Sequence, residues 1–218
     1  MEILEVPEIP PIPKNNQDIP GFNNVAHNEK LKETAKLVKP GSKALEVGTA
    51  WGRSTWSLLD DLPSPFEIHV VDPFTHLEGG KMRHYEGCMK KHSDNMCQRY
   101  ALKIFVEQGQ RACWDWGVPQ HPRFNSEQII VHAMLSQKFR EIEDNEWGLV
   151  YLDGDHSYPN VSAELGKWAD CPIICGDDYH PVHKGVVKAI DEFLAKHPDR
   201  EFWYDTPESG SGFFRILK

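Results

Sequence analysis

No run of this chain stays apolar over the roughly 20 residues that a membrane-spanning helix requires. The first residues, MEILEVPEIPPIPK, carry acids and prolines where a secretory leader needs a basic start and an apolar centre. Positive charge is scarce: 24 Lys and Arg face 33 Asp and Glu, for a formal charge of −9. The clustered cations that grip nucleic acid or an anionic membrane are therefore missing, although a small or neutral substrate remains open. Cysteines are few and badly spaced for pairing, with Cys88, Cys97, Cys113, Cys171 and Cys175 odd in number. That pattern fits a reducing compartment better than a disulfide framework, and together these absences predict a soluble cytoplasmic protein. Repeats and low-complexity tracts are also lacking, and 218 residues suit one domain with room for an embellishment.

What is present is alternation. Residues 1–25, with Pro7, Pro10, Pro11, Pro13 and Pro20, read as an extended arm lying on the domain or on a second copy in a homodimer. Residues 26–218 read as one domain. A helix over 26–39 stops at Pro40-Gly41, followed by a strand at 43–48, a helix at 53–62 and a strand at 66–72. The pattern then breaks into an insertion at about 75–125, with a helix predicted from Met82 to Gln108 and a loop in WDWGVPQHPRFN. Alternation resumes with strands at 128–133, 147–153 and 172–177 and helices at 135–142, 161–169 and 185–197. Two closing strands, EFWYD and GFFRIL, read as an antiparallel pair. The fold class is α/β: a doubly wound, mostly parallel seven-stranded sheet with a C-terminal antiparallel hairpin and a helical insertion.

Two of these strands end in acid. Asp153 and Asp155 close LVYLDGD, Asp177 and Asp178 close IICGDD, and a helix-length connection separates them. A right-handed strand–helix–strand unit sets both knots on one edge of the sheet. Carboxylates crowded there suit a hard divalent cation, Mg²⁺, Mn²⁺ or Ca²⁺; the competing reading has them capping helices or binding water.

The first strand-to-helix corner, LEVGTAWGRST, places Glu46, Gly48 and Gly52 where a dinucleotide fingerprint would sit, but Ala50 and Trp51 take its second and third glycine positions. A pyrophosphate would meet side chains there, which disfavours a nucleotide-dependent oxidoreductase. The arrangement E-x-G-x-x-x-G, with Asp72 ending the next strand, instead resembles the class I S-adenosylmethionine-dependent methyltransferases, whose fold is Rossmann-like. The runs LVYLDGDHSYPNVSAELGKW, IICGDDY and GVVKAIDEFL are similar to the branch of metal-dependent sugar O-methyltransferases, over roughly residues 40–72 and 128–217.

The resemblance implies a cofactor set of Glu46, Gly48, Thr49, Ala50, Gly52, Ser54, Asp72 and Asp153, with Asp72 on the ribose hydroxyls. It implies a metal held by Asp153, Asp177 and Asp178, and Asp155 or His156 as the base that takes a proton from a small hydroxylated acceptor such as a sugar. A cofactor-binding protein without transfer activity is the second reading. His84, Cys88 and His92, four residues apart, invite a zinc reading that matches no familiar module. His180 and His183 suit either the acceptor pocket or a solvated loop. Trp114 and Trp116 suit a sugar-stacking platform less well than a local core, and Cys175 reads as inert core.

Overall fold

A computed structural model describes residues 9–21, 25–75, 95–143, 146–205 and 212–218. Seven strands form one sheet: β1 (Lys43–Val47), β2 (Glu67–Val71), β3 (Ile129–His132), β4 (Trp147–Leu152), β5 (Ile173–Gly176), β6 (Glu201–Asp205) and β7 (Phe213–Leu217). The order is β3-β2-β1-β4-β5-β7-β6, parallel except that β7 runs antiparallel to both its neighbours. The doubly wound sheet and its terminal hairpin thus stand as the alternation predicted.

Strands buried on both faces need apolar residues at successive positions, and β1 supplies them on alternating sides. Leu45 and Val47 join the core formed with α5 (Ser136–Ile142), α6 (Tyr158–Lys167) and α7 (Lys184–Lys196). On the opposite face Ala44 packs with Leu31 of α1 (Val25–Ala35) and with Leu58 and Leu59 of α2 (Arg53–Asp61). Val186, Ile190 and Phe193 of α7 line one helical face, as their spacing requires.

The insertion departs from expectation. Asn95 is extended and caps α3 (Met96–Gln108) by accepting from the Gln98 amide, so no single helix runs from Met82 to Gln108. The stretch read as a loop holds instead the end of α4 (Gln110–Gly117) and a 3₁₀ turn, Val118–Gln120. The reason is tertiary: Trp114 and Val118 are buried against the first βα corner, and that packing outweighs a polar, proline-bearing sequence. Trp114 is core, and Trp116 packs on a small third cluster built around Ile19, Trp51, Trp56 and Leu102. His84, Cys88 and His92 lie outside the described residues, as do residues 1–8 of the arm. Among the described residues no helix is long and apolar enough to cross a membrane. Cys97, Cys113, Cys171 and Cys175 are free thiols, and burial raises the pKa of Cys175.

Candidate active site

Register alone brings the acids together. Val47 pairs with Val71 and with Leu152, and Leu152 pairs with Gly176, so the next residues — Gly48, Asp72, Asp153 and Asp177 — share one rim of the sheet. Backbone bonds continue past the strands to hold that rim: the Gly48 amide donates to Val71 O (2.9 Å), Asp153 to Val47 O (2.8 Å) and Asp177 to Leu152 O (3.1 Å). A cavity of about 660 Å³ opens over it, within the roughly 300–1,000 Å³ of small-ligand sites. Its walls include Gly48, Thr49, Ala50, Ser54 and Asp72 from the first two strand ends, and Asp153, Asp155, His156, Asp177, Asp178 and His183 from the others.

The first corner is a tight backbone turn. Gly48 and Gly52 have φ of +82° and +97°, and Ala50 also adopts a positive φ of 50°. A side chain at position 48 would overlap the Asp153 carbonyl, and one at 52 would strike Val118 and Trp114, so both sites demand glycine on two counts. Asp72, only 5% exposed, holds the turn by its carboxylate. Its Oδ2 accepts from the Thr49 and Ala50 amides at 3.0 Å each, and its Oδ1 from the Phe74 amide at 2.6 Å and Gln110 Nε2 at 3.3 Å. Trp51 turns away into the third core cluster, edge-on to Phe105, and leaves the cavity clear.

Glu46 stands behind this corner and does not line the cavity. It is fully buried, accepting from the Ser54 hydroxyl and from Thr55 Oγ1 (2.6 Å), and burial raises its pKa from 4.5 to about 7. Gly52 likewise serves the corner from beneath, packed on α4.

At the second acidic end the structure gathers Asp153, Asp177 and Asp178, with one carboxylate oxygen from each within 4.8 Å of the others. Asp178 has a φ of +68°, unusual for a residue other than glycine, and its amide donates to Asp177 Oδ1 (2.7 Å). Behind them lies a polar group that sequence reasoning missed. Tyr151 OH donates to Asp153 Oδ2 (3.0 Å), and since its one proton is spent there, His27 Nε2 (3.0 Å) is the donor to the phenol oxygen. His27 Nδ1 lies 3.4 Å from Asp177 Oδ1. Burial first, then the nearby carboxylates, holds the Tyr151 phenol well above its usual pKa.

Asp155 is exposed, and its Oδ1 accepts from the Ser157 amide (2.9 Å) at the start of α6. His156 Nε2 lies 2.9 Å from Asp178 Oδ2, a contact that raises its pKa. His183 faces the same carboxylate, whereas His180 is not among the cavity's lining residues. Gln110, Arg53, His183 and the Pro20-Gly21 end of the arm also line the cavity. Of these His183 carried a signal by following the acidic pair at short spacing, and Arg53 by standing between Gly52 and Ser54 in the corner motif. Gln110 reaches the site through tertiary packing, which no local pattern announces.

No protein-family model and no curated protein matches the chain. Solved structures do match in fold. A protein from Corynebacterium glutamicum aligns at 12% identity over 92% of this chain and 83% of its own, with a TM-score of 0.57. An O-methyltransferase from Bacillus cereus, solved in complex with SAH, aligns at 15% identity over 93% and 86%, with a TM-score of 0.52. TomG, an O-methyltransferase from Streptomyces achromogenes involved in tomaymycin synthesis and solved in complex with SAM, aligns at 13% over 90% and 81%, also at 0.52. The chain has the Rossmann-like fold of class I methyltransferases.

Proposed function

We propose that this protein is an S-adenosylmethionine-dependent O-methyltransferase acting on a small hydroxylated acceptor such as a sugar, assisted by a divalent cation. One observation carries the reading: the glycine corner with Asp72 and the three-aspartate group open into the same cavity. Two neighbours of this fold bear the name O-methyltransferase and were solved with SAH or SAM. An all-carboxylate donor set fits Mg²⁺ or Mn²⁺.

The cofactor contributes a methyl group already activated on sulfur, and a cation on Asp153, Asp177 and Asp178 contributes acidification of the acceptor hydroxyl. The protein's work is then positioning. Gly48, Thr49 and Ala50 wall one side of the cavity, Ser54 and Asp72 add polar groups, and Asp153 would serve both cofactor and cation. Tyr151 and His27 fix the rotamers of Asp153 and Asp177 from behind. Asp155 and His156, at the rim, are placed to take the acceptor's proton. Holding donor and acceptor together inside the cavity would supply much of the rate.

The test is release of S-adenosylhomocysteine with a panel of hydroxylated acceptors. The reading requires turnover that EDTA and Asp177→Ala both abolish. S-adenosylhomocysteine binding without turnover on any acceptor would favour a cofactor-binding protein, and turnover indifferent to EDTA would remove the metal. A cytoplasmic location is part of the proposal, supported by the free thiols.

A further inference from the structure

Asp178 belongs to two constellations. Besides the aspartate group, its Oδ2 lies 2.9 Å from His156 Nε2 and its Oδ1 lies 3.1 Å from His183 Nε2, with the two imidazoles edge to face at 5.2 Å. We propose that His156, Asp178 and His183 form a second divalent-cation site, which takes a borderline metal of the Zn²⁺ or Co²⁺ class beside the harder, all-oxygen site of Asp153, Asp177 and Asp178.

Three observations support it. One donor atom from each residue lies within 4.8 Å of the other two. The N···O separations of 2.9 and 3.1 Å, one to each oxygen of Asp178, bring both imidazole nitrogens to the same carboxylate, and imidazole with carboxylate is a donor set that zinc takes. The three residues also come from separate segments that the fold draws together. His156 sits on the loop before α6, Asp178 just beyond β5, and His183 at the N-cap of α7. A side chain at Gly185 would overlap the His156 carbonyl and the Tyr158 amide, so the start of α7 seats directly on the His156 loop. Asp178, finally, holds its left-handed backbone at the point where its carboxylate meets both imidazoles, the kind of local strain that functional sites store.

The donor chemistry separates the two sites. Imidazole nitrogens favour Zn²⁺, Co²⁺ or Ni²⁺, whereas three carboxylates favour Mg²⁺ or Mn²⁺. Asp178, common to both groups, would bridge the pair. On the transfer reading above, an ion on His156 Nε2 withdraws that nitrogen from proton transfer and leaves Asp155, on the same loop, as the base.

The experiment titrates the full-length, EDTA-stripped protein with cobalt chloride, read by visible absorption and by bound equivalents after dialysis. The expected result is two equivalents and a d–d band characteristic of nitrogen ligation. His156→Gln and His183→Gln should each weaken the band-forming site at least tenfold, a loss comparable to or larger than that from disturbing a ligand's supporting partner. Asp153→Asn should keep the band while losing the other equivalent. A band insensitive to both histidine substitutions, or no band while Mg²⁺ still binds, overturns the site. S-adenosylhomocysteine calorimetry on the same samples keeps the readings apart: lost cofactor binding with the band intact defeats the transferase, not the cation site.

Discussion

At the scale of single residues, Asp72 is a structural tie before it is anything to the proposed cofactor. A carboxylate offers about four acceptor positions, and four donors already reach this one. On the proposed reading a ribose diol would therefore take the place of a present partner, and Gln110, at 3.3 Å, holds the longest of the four bonds. Gln110→Ala should accordingly leave cofactor affinity unchanged or raise it a few-fold in calorimetry. Asp72→Asn should lower both affinity and melting temperature, because its NH2 would face donors whichever way it turned, those of Thr49 and Ala50 or those of Phe74 and Gln110. An Asp72→Asn protein that melts like the parent would contradict this.

Glu46 makes a separate claim about pH. Its pKa is raised, so the native state keeps a proton that the unfolded chain gives up, and stability falls as pH rises from 4.5 to about 7. Glu46→Gln should abolish that component. Its urea midpoint, compared with the parent's, should gain ground between about pH 5 and pH 7.5, whereas parallel curves would show Glu46 ionised throughout.

Among elements, α4 does the least expected work. It carries Gln110 to Asp72 and to the Ala50 carbonyl (3.0 Å), and it sets Trp114 against the space where Gly52 lacks a side chain. Trp114→Ala should cost roughly 3–5 kcal/mol in chemical denaturation, the usual penalty for emptying a buried tryptophan site, and should weaken cofactor binding through the loosened corner. Unaltered binding in a folded variant would show that the corner stands without α4.

The contrast with the rest of the chain is physical. Strands such as KALEV and LVYL announce themselves because a sheet covered on both faces needs continuous apolar residues, and the residues that follow them, Gly48 and Asp153, share a rim by register. The helix WDWG was invisible because its stability comes from what it covers, not from propensity or periodicity. His27 and Tyr151 were equally hidden: one looked like a polar position on a helix, the other like strand core. Their meeting spans 124 residues of sequence.

At the scale of the whole molecule, the described stretch of the arm, residues 9–21, packs on the domain. Ile19 is fully buried among Trp51, Trp56 and Leu102, its carbonyl accepts from Arg53 Nε (2.7 Å), and Gln98 donates to the Gln17 carbonyl. Deleting residues 1–21 should lower the melting temperature by several degrees, since even about 1 kcal/mol moves a protein of this size by 2–4 °C. It should also open the cavity wall at Pro20 and Gly21. A truncated chain with unchanged melting would make the arm a mere appendage.

The α1 helix reaches further still. It delivers His27 to within 3.4 Å of Asp177, behind the carboxylates, from a position ahead of the first strand. A minimal chimera that grafted only the alternating strand–helix units, from residue 43 onward, would inherit every acid of the pocket and yet lose the imidazole that braces two of them. A portable version of this pocket must carry α1 and, ahead of it, the Pro20-Gly21 stretch that walls the cavity.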